Sequence, residues 1–250
     1  MQTIRNQGIR KQKVARKNSE YLGCPHFSLY FFIAGSGHIW YIIAMKWTQF
    51  LDLAGNEPVF SSSLLKTAGI SPAEAGKQLS RWVKSGKLIQ IRRGLYMLAE
   101  PYRKIRPHPF YIANKIQRGS YVSLQSALEY YGLTPEYVPA VTSVTTRRTQ
   151  TFATPLGNYI FRHVKKELFF DYVQLDMGGG QLAFVATPEK SLLDLLYLTP
   201  GSDNPSYLRE LRLLNLENLD IERLKALASQ SRSHKLIRAT EILENLVREF

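Results

Sequence analysis

The sequence predicts an α+β chain in two parts: a small basic module of short helices and one hairpin, then a larger mixed α/β domain with a helical C-terminus. Three observations carry this. Helical stripes and extended runs give helix, helix, capped basic helix and hairpin in residues 46–100, then a mixture of strands and helices. Cap and turn residues fall at the block ends. The charge is also unevenly placed. The net charge is +13, but residues 46–118 carry thirteen Lys and Arg against four Asp and Glu, whereas residues 119–250 carry fourteen against fifteen. A basic module beside a nearly neutral body implies a polyanionic partner for the first and a separate task for the second. The chain is long enough for one large or two ordinary domains, and its 44% hydrophobic and 21% charged content is that of a folded protein. Cys24 is the single cysteine, which excludes a disulfide framework or thiolate metal site and fits a cytoplasmic location.

Residues 1–45 are set apart as an extension. Arg5, Arg10, Lys11, Lys13, Arg16 and Lys17 precede an apolar run from Phe27 to Ala44, the order of a signal peptide or signal anchor. The run approaches the roughly 20 apolar residues that span a bilayer. Ser28, Gly35, Ser36, Gly37 and His38 interrupt it, and no small-residue cleavage site follows. Three readings stand: an upstream extension from a misplaced start codon, a disordered tail, or a membrane anchor.

Residues 46–100 are expected to form a basic module. Trp47, Phe50, Leu51 and Ala54 make the stripe of a short amphipathic helix, stopped by Gly55-Asn56-Glu57-Pro58. After the extended pair Val59-Phe60, Ser61 is expected to cap a second helix through Leu64, Leu65 and Ala68, ended by Gly69. The third helix has the strongest start signal. Ser71 stands at N-cap, Pro72 at N1 and Glu74 at N3, a capping box on a preorganised first turn. Ala75, Leu79, Trp82 and Val83 form its apolar face, with Trp82 read as core; Lys77, Arg81 and Lys84 lie opposite, flanked by Gln78 and Ser80. Ser85-Gly86 breaks the helix. Two extended runs, 87–91 and 95–98, are joined by Arg92-Arg93-Gly94, a hairpin with two arginines at its tip.

This is the element order of a winged helix-turn-helix, in which the third helix enters the major groove and the wing touches the neighbouring backbone or minor groove. Ser71, Lys77, Gln78, Ser80, Arg81, Lys84, Arg92 and Arg93 are therefore the candidate DNA-binding residues.

Residues 101–118 read as a basic linker and a helix. Pro101 to Pro109 lacks periodicity, and a helical pattern resumes at Phe110. Residues 119–250 form the second domain. Gln125 to Leu133 predicts a short helix closed by Gly132; Val141 to Thr146, Asn158 to Val164 and 181–187 predict strands. Thr187 caps a helix with Pro188 at N1 and Leu192, Leu193, Leu195 and Leu196 inside, and amphipathic helices fill the chain from residue 205.

With these segments in place the chain resembles the AbiEi-type antitoxins and transcriptional regulators of type IV toxin–antitoxin systems. The similarity rests on Phe60–Leu98, on Tyr121-Val122-Ser123-Leu124-Gln125-Ser126-Ala127-Leu128 with Tyr131-Gly132-Leu133, on Val144-Thr145-Thr146, and on Ala186 to Leu195. Together these cover roughly residues 46–215; residues 1–44 have no counterpart. The resemblance implies that the winged helix binds inverted repeats in the promoter of its own operon, with two copies on double-stranded DNA. It also implies that the C-terminal domain counteracts a nucleotidyltransferase-like toxin.

No catalytic site, metal site or cofactor is expected. His26, His38, His108, His163 and His234 are scattered without metal-ligand spacing, and no nucleophile elbow, phosphate-binding loop or dinucleotide fingerprint occurs. Gly178-Gly179-Gly180 reads as a turn between strands, and helix-start electrostatics accounts for Glu189. Two other classes remain to be weighed: a winged-helix-targeted nuclease or nucleotidyltransferase using Asp171 and Asp176 from a loop-like stretch, and a membrane-anchored regulator held by residues 27–44.

Overall fold

The computed structural model describes residues 29–33, 39–43 and 45–248, so the readings of residues 1–28 lie outside the described residues. Residues 1–45 and 46–250 are separate compact units. In the first, strands β1 (Leu29–Ile33) and β2 (Ile39–Ile43) pair antiparallel, Phe31 opposite Tyr41. Both strands draw on the apolar run, whose sequence carries no helical periodicity. Among the described residues no helix is long and apolar enough to cross a membrane.

The second unit begins with helix α1 (Trp47–Ala54), where Gln49 accepts a hydrogen bond from the Lys46 amide (2.9 Å) and Phe50 and Ala54 are buried. Strand β3 (Phe60–Ser61) follows, then the one-turn helix α2 (Leu64–Thr67). The expected cap at Ser61 is a correction: Ser61 pairs with Leu95 in a sheet, and α2 starts after Ser63 without a side-chain cap. The strand sets the Ser61 backbone three residues before α2 begins, and its hydroxyl shares a hydrogen bond with Ser63 Oγ instead of capping a helix amide. Helix α3 spans Pro72–Lys84. Strands β4 (Leu88–Arg92) and β5 (Leu95–Leu98) form the hairpin, and the sheet order β3-β5-β4 puts β5 in the middle, which is why all four of its residues are buried.

A 3-10 turn at Glu100–Tyr102 leads to helix α4 (Pro109–Ile116), whose Tyr111, Ile112, Ala113 and Ile116 are buried. Then come β6 (Ser120–Val122), helix α5 (Gln125–Tyr130), β7 (Ala140–Thr145), β8 (Gln150–Thr154), β9 (Gly157–His163), β10 (Tyr172–Asp176) and β11 (Leu182–Ala186). Helix α6 (Pro188–Leu198) begins at its Thr187 cap, with α7 (Pro205–Glu210), α8 (Ile221–Gln230) and α9 (His234–Arg248) completing the helical C-terminus. The chain is thus a mixed α+β protein. Three strands of the second unit lie outside the expected set: β8, β10 and the short β6, whose three residues are all buried and so carry no alternation. β8 and β10 lie at the edges of the six-stranded sheet β10-β11-β6-β7-β9-β8, where one side faces solvent and apolar alternation weakens.

That sheet is mixed, with parallel pairs β11–β6 and β7–β9 and antiparallel pairs elsewhere. Strand alternation sends its side chains to two cores. Tyr121, Val144 and Ala186 point to the face covered by leucines of α6, α8 and α9. Val122, Phe161, Ala183 and Val185 point to the opposite face, where they meet α4 together with Ile91, Leu95 and Met97 of the hairpin. A continuous apolar cluster therefore joins the hairpin, α4 and the large sheet.

Candidate nucleic-acid interface

Helix α3 is held from behind by aromatic rings. Trp82 is 8% exposed and its ring centroid lies 4.5 Å from Phe50 and 5.2 Å from Trp47; Phe50 in turn stands 5.3 Å from Phe60. Trp82 is core, as the spacing predicts, and not a stacking platform. Rings of this kind at such distances each contribute about 0.5–1.5 kcal/mol beyond area burial, so α3 is anchored as a rigid rod.

Its other face is free for a partner. At 3.6 residues per turn Lys77, Arg81 and Lys84 fall within an arc of about 60°, opposite Ala75, Leu79 and Trp82, and run about 10 Å along the axis. All three are exposed, as are Ser71 and Ser80; Gln78, turned toward the core, is half-buried. Ser71 Oγ accepts from the Glu74 amide at 3.3 Å, so its hydroxyl caps the helix. The other half of the expected capping box is a correction: Glu74 Oε1 is 2.9 Å from Lys77 Nζ and does not reach back to the N-cap amide. With Lys77 63% exposed this is a weak solvated pair, and Lys77 can exchange it for a phosphate. Among the described residues Arg81 and Lys84 form no ion pair.

The two hairpin arginines part company. The β4–β5 register slips between Gln90 and Arg92, Gly94 takes φ +80°, and its carbonyl accepts from the Ser62 amide at 2.9 Å. Both arginines are exposed, but the Arg92 guanidinium lies 5.6 Å from the Phe152 ring on β8. Arg92 therefore lies beside the large sheet, an arrangement that hairpin periodicity could not reveal.

A second polar constellation, missed by sequence reasoning, is buried. Lys190 is 0% and Asp194 1% exposed, and their side chains form an ion pair one helical turn apart on α6. Tyr121 Oη (3.0 Å) and Ser123 Oγ (2.7 Å) both donate to Asp194 Oδ2. Burial pushes the Asp194 carboxyl above the ordinary carboxylate range, opposed by Lys190 and the two hydroxyls, and burial and the Asp194 charge raise the Tyr121 phenol. The i,i+4 Lys–Asp spacing across the Leu192-Leu193 pair of a leucine-rich helix was the available signal. Its geometry ties β6 to α6. Glu189 does more than serve a helix start: its Oε1 accepts from the Asp220 amide at 3.1 Å, and Oε2 stands 3.7 Å from Arg223 Nε, which ties α6 to α8.

The carboxylates weighed for metal chemistry are not brought together. Asp171 immediately precedes β10 and Asp176 ends it, five residues apart in extended chain and hence about 17 Å from each other. Asp171 accepts from Thr187 Oγ1 (2.7 Å) and Arg223 Nη2 (2.7 Å); Asp176 accepts from the Gly178 amide (2.8 Å) in the turn to β11. Their stretch is a strand, not the expected loop. Among the described residues no three His, Cys, Asp or Glu side chains gather at a metal-binding distance.

Among solved structures, the crystal structure of RV2827C protein from Mycobacterium tuberculosis is similar at 15% identity, covering 77% of this chain and 76% of that one, with a TM-score of 0.45. No curated protein matches the chain. The family model that matches, over residues 50–99, is described as transcriptional regulator, AbiEi antitoxin. That segment holds α3 and the hairpin, and over it the chain is shown to match the AbiEi antitoxin family of transcriptional regulators that its motifs resemble.

Proposed function

We propose that the chain is a sequence-specific DNA-binding autorepressor and the antitoxin of a type IV toxin–antitoxin system, acting in the cytoplasm. The reading divides the chain into an extension (1–45), a winged-helix DNA-binding domain (46–100), a basic connector with its helix (101–118) and an antitoxin domain (119–250). The observation that carries it is α3 itself. One face is locked through its Trp82 against Trp47 and Phe50, while the opposite face presents Lys77, Arg81 and Lys84 to solvent, and this is the segment that matches the regulator family. The first turns of α3, with Ser71, Lys77, Gln78, Ser80 and Arg81, read base edges and adjacent phosphates in the major groove; Lys84, Arg92 and Arg93 contact backbone. Two copies on inverted repeats of the chain's own promoter block transcription sterically. The C-terminal domain counteracts a nucleotidyltransferase-like toxin, with or without direct binding.

The test is fluorescence anisotropy of the full chain against its own upstream duplex and a scrambled duplex at two salt concentrations. Preference for the native sequence that survives the higher salt is expected. Arg81→Ala should reduce the magnitude of the salt slope by about 0.9 for one lost phosphate contact. Equal, steeply salt-sensitive binding to both duplexes, or an unchanged Arg81→Ala, would remove α3 as the reading element.

A further inference from the structure

Beside the hairpin lies a recess of about 690 Å³ with an unusual wall. Arg92 borders it from β4, Lys115 and Arg118 from the end of α4 and the turn after it, and Arg147 and Arg148 from the turn between β7 and β8. Glu57 is the one acid on the wall, and among the described residues none of the five cations forms an ion pair. Five like charges around one concavity repel each other unless an anion joins them, and the concave shape focuses their field.

The wall is built rather than incidental. Thr145, fully buried, holds both turns that carry the arginines. Its hydroxyl accepts from Gln117 Nε2 (2.9 Å) and the Arg147 amide (3.2 Å) and donates to the Gly119 carbonyl (3.1 Å). Arg118 and Arg147 are thus set by one side chain. The floor is apolar: Val59, Phe60, Leu95 and Ile116 are all less than 7% exposed. Arg92 and Phe152 add a guanidinium and a ring of the sort on which bases stack.

We infer that this recess is a ligand site for a nucleoside polyphosphate, its phosphates held by Arg118, Arg147, Arg148 and Lys115 and its base placed on the apolar floor beside Arg92 and Phe152. Duplex DNA is the competing source of phosphate. A duplex, however, is met by helices and hairpins that protrude into its grooves. These cations instead ring a hollow whose volume falls in the ~300–1,000 Å³ range of small-ligand pockets. Because Arg92 serves both the hollow and the hairpin, an occupied site withdraws one phosphate contact from DNA. That regulatory consequence rests on the regulator reading above; the site does not.

Calorimetric titration of the full chain with ATP, and separately with inorganic triphosphate, tests this. One saturable site per chain is expected, tighter for ATP than for triphosphate. The triple variant Arg118→Ala/Arg147→Ala/Arg148→Ala should weaken ATP at least tenfold, and Arg81→Ala should leave it within twofold. Thr145→Val, which removes no charge, should weaken ATP several-fold by releasing both turns. Saturating ATP should weaken duplex binding by the wild-type chain and leave that of the triple variant unmoved. Absence of a saturable ATP site, or a triple variant that binds ATP like wild type, overturns the inference. So does a triple variant that loses duplex affinity tenfold in a chain that ignores ATP, which would assign the hollow to the duplex backbone. Intact ATP binding without sequence-specific duplex binding would uphold the site while removing the DNA reading.

Discussion

Replacing Asp194 by Asn tests whether the buried polar network holds the C-terminal part together. The substitution keeps the shape and an acceptor for Tyr121 Oη and Ser123 Oγ but removes the charge that faces Lys190. Lys190 is 0% exposed, so its ammonium is left uncompensated away from water. Breaking one side of such a pair costs about 3–5 kcal/mol, a large share of the roughly 5–15 kcal/mol that stabilises a typical folded protein. Taking both charges out of water offsets much of what their attraction gains, so the pair as a whole contributes little net stability. Lys190→Met added to Asp194→Asn should therefore return the protein to within about 1 kcal/mol of wild type. Urea unfolding of the full chain, followed by far-UV circular dichroism, measures all four corners of the cycle. A single variant that loses less than about 1 kcal/mol, or a double variant as unstable as the single, would show that the charge is not what the network compensates.

Two further perturbations follow from local geometry. His108 caps α4 with Nδ1 accepting from the Phe110 amide at 3.2 Å, and burial lowers its pKa below 6.5. The folded form then binds fewer protons than the unfolded chain just below pH 6.5, so this contribution is complete above that value and is lost as pH falls toward the depressed folded pKa. His108→Asn, which can still cap, should flatten the pH dependence of urea midpoints in that window; an unchanged profile would clear His108 of the effect. Gly94→Ala meets a φ of +80° with nothing closer than 3.7 Å, so the cost is backbone strain alone, about 1–2 kcal/mol, and the hairpin should survive. Thermal unfolding that is unchanged by Gly94→Ala would show that the tip relaxes out of the left-handed region.

The sequence by itself determined the parts whose cause is local. The Ser71-Pro72 start of α3 and the Thr187-Pro188 start of α6 were legible because a hydroxyl acceptor and a preset φ act within one turn of chain. The Lys77–Arg81–Lys84 face was legible because helical periodicity converts spacing directly into direction. The strands β7, β9 and β11 were read from their β-branched and apolar runs, whereas β6, β8 and β10 were not, since pairing with a neighbour, not patterning, makes them strands.

Tertiary structure decided whatever depends on residues distant in sequence. It moved Ser61 from a cap into a strand against Leu95 and put Arg92 over Phe152. It closed Lys190 and Asp194 around Tyr121 and Ser123, about seventy residues away, and drew Gln117, Gly119 and Arg147 to one threonine. Each of these involves at least one polar group and a partner distant in sequence, and its favourable energy appears only once the surrounding apolar packing has excluded water and fixed the distance.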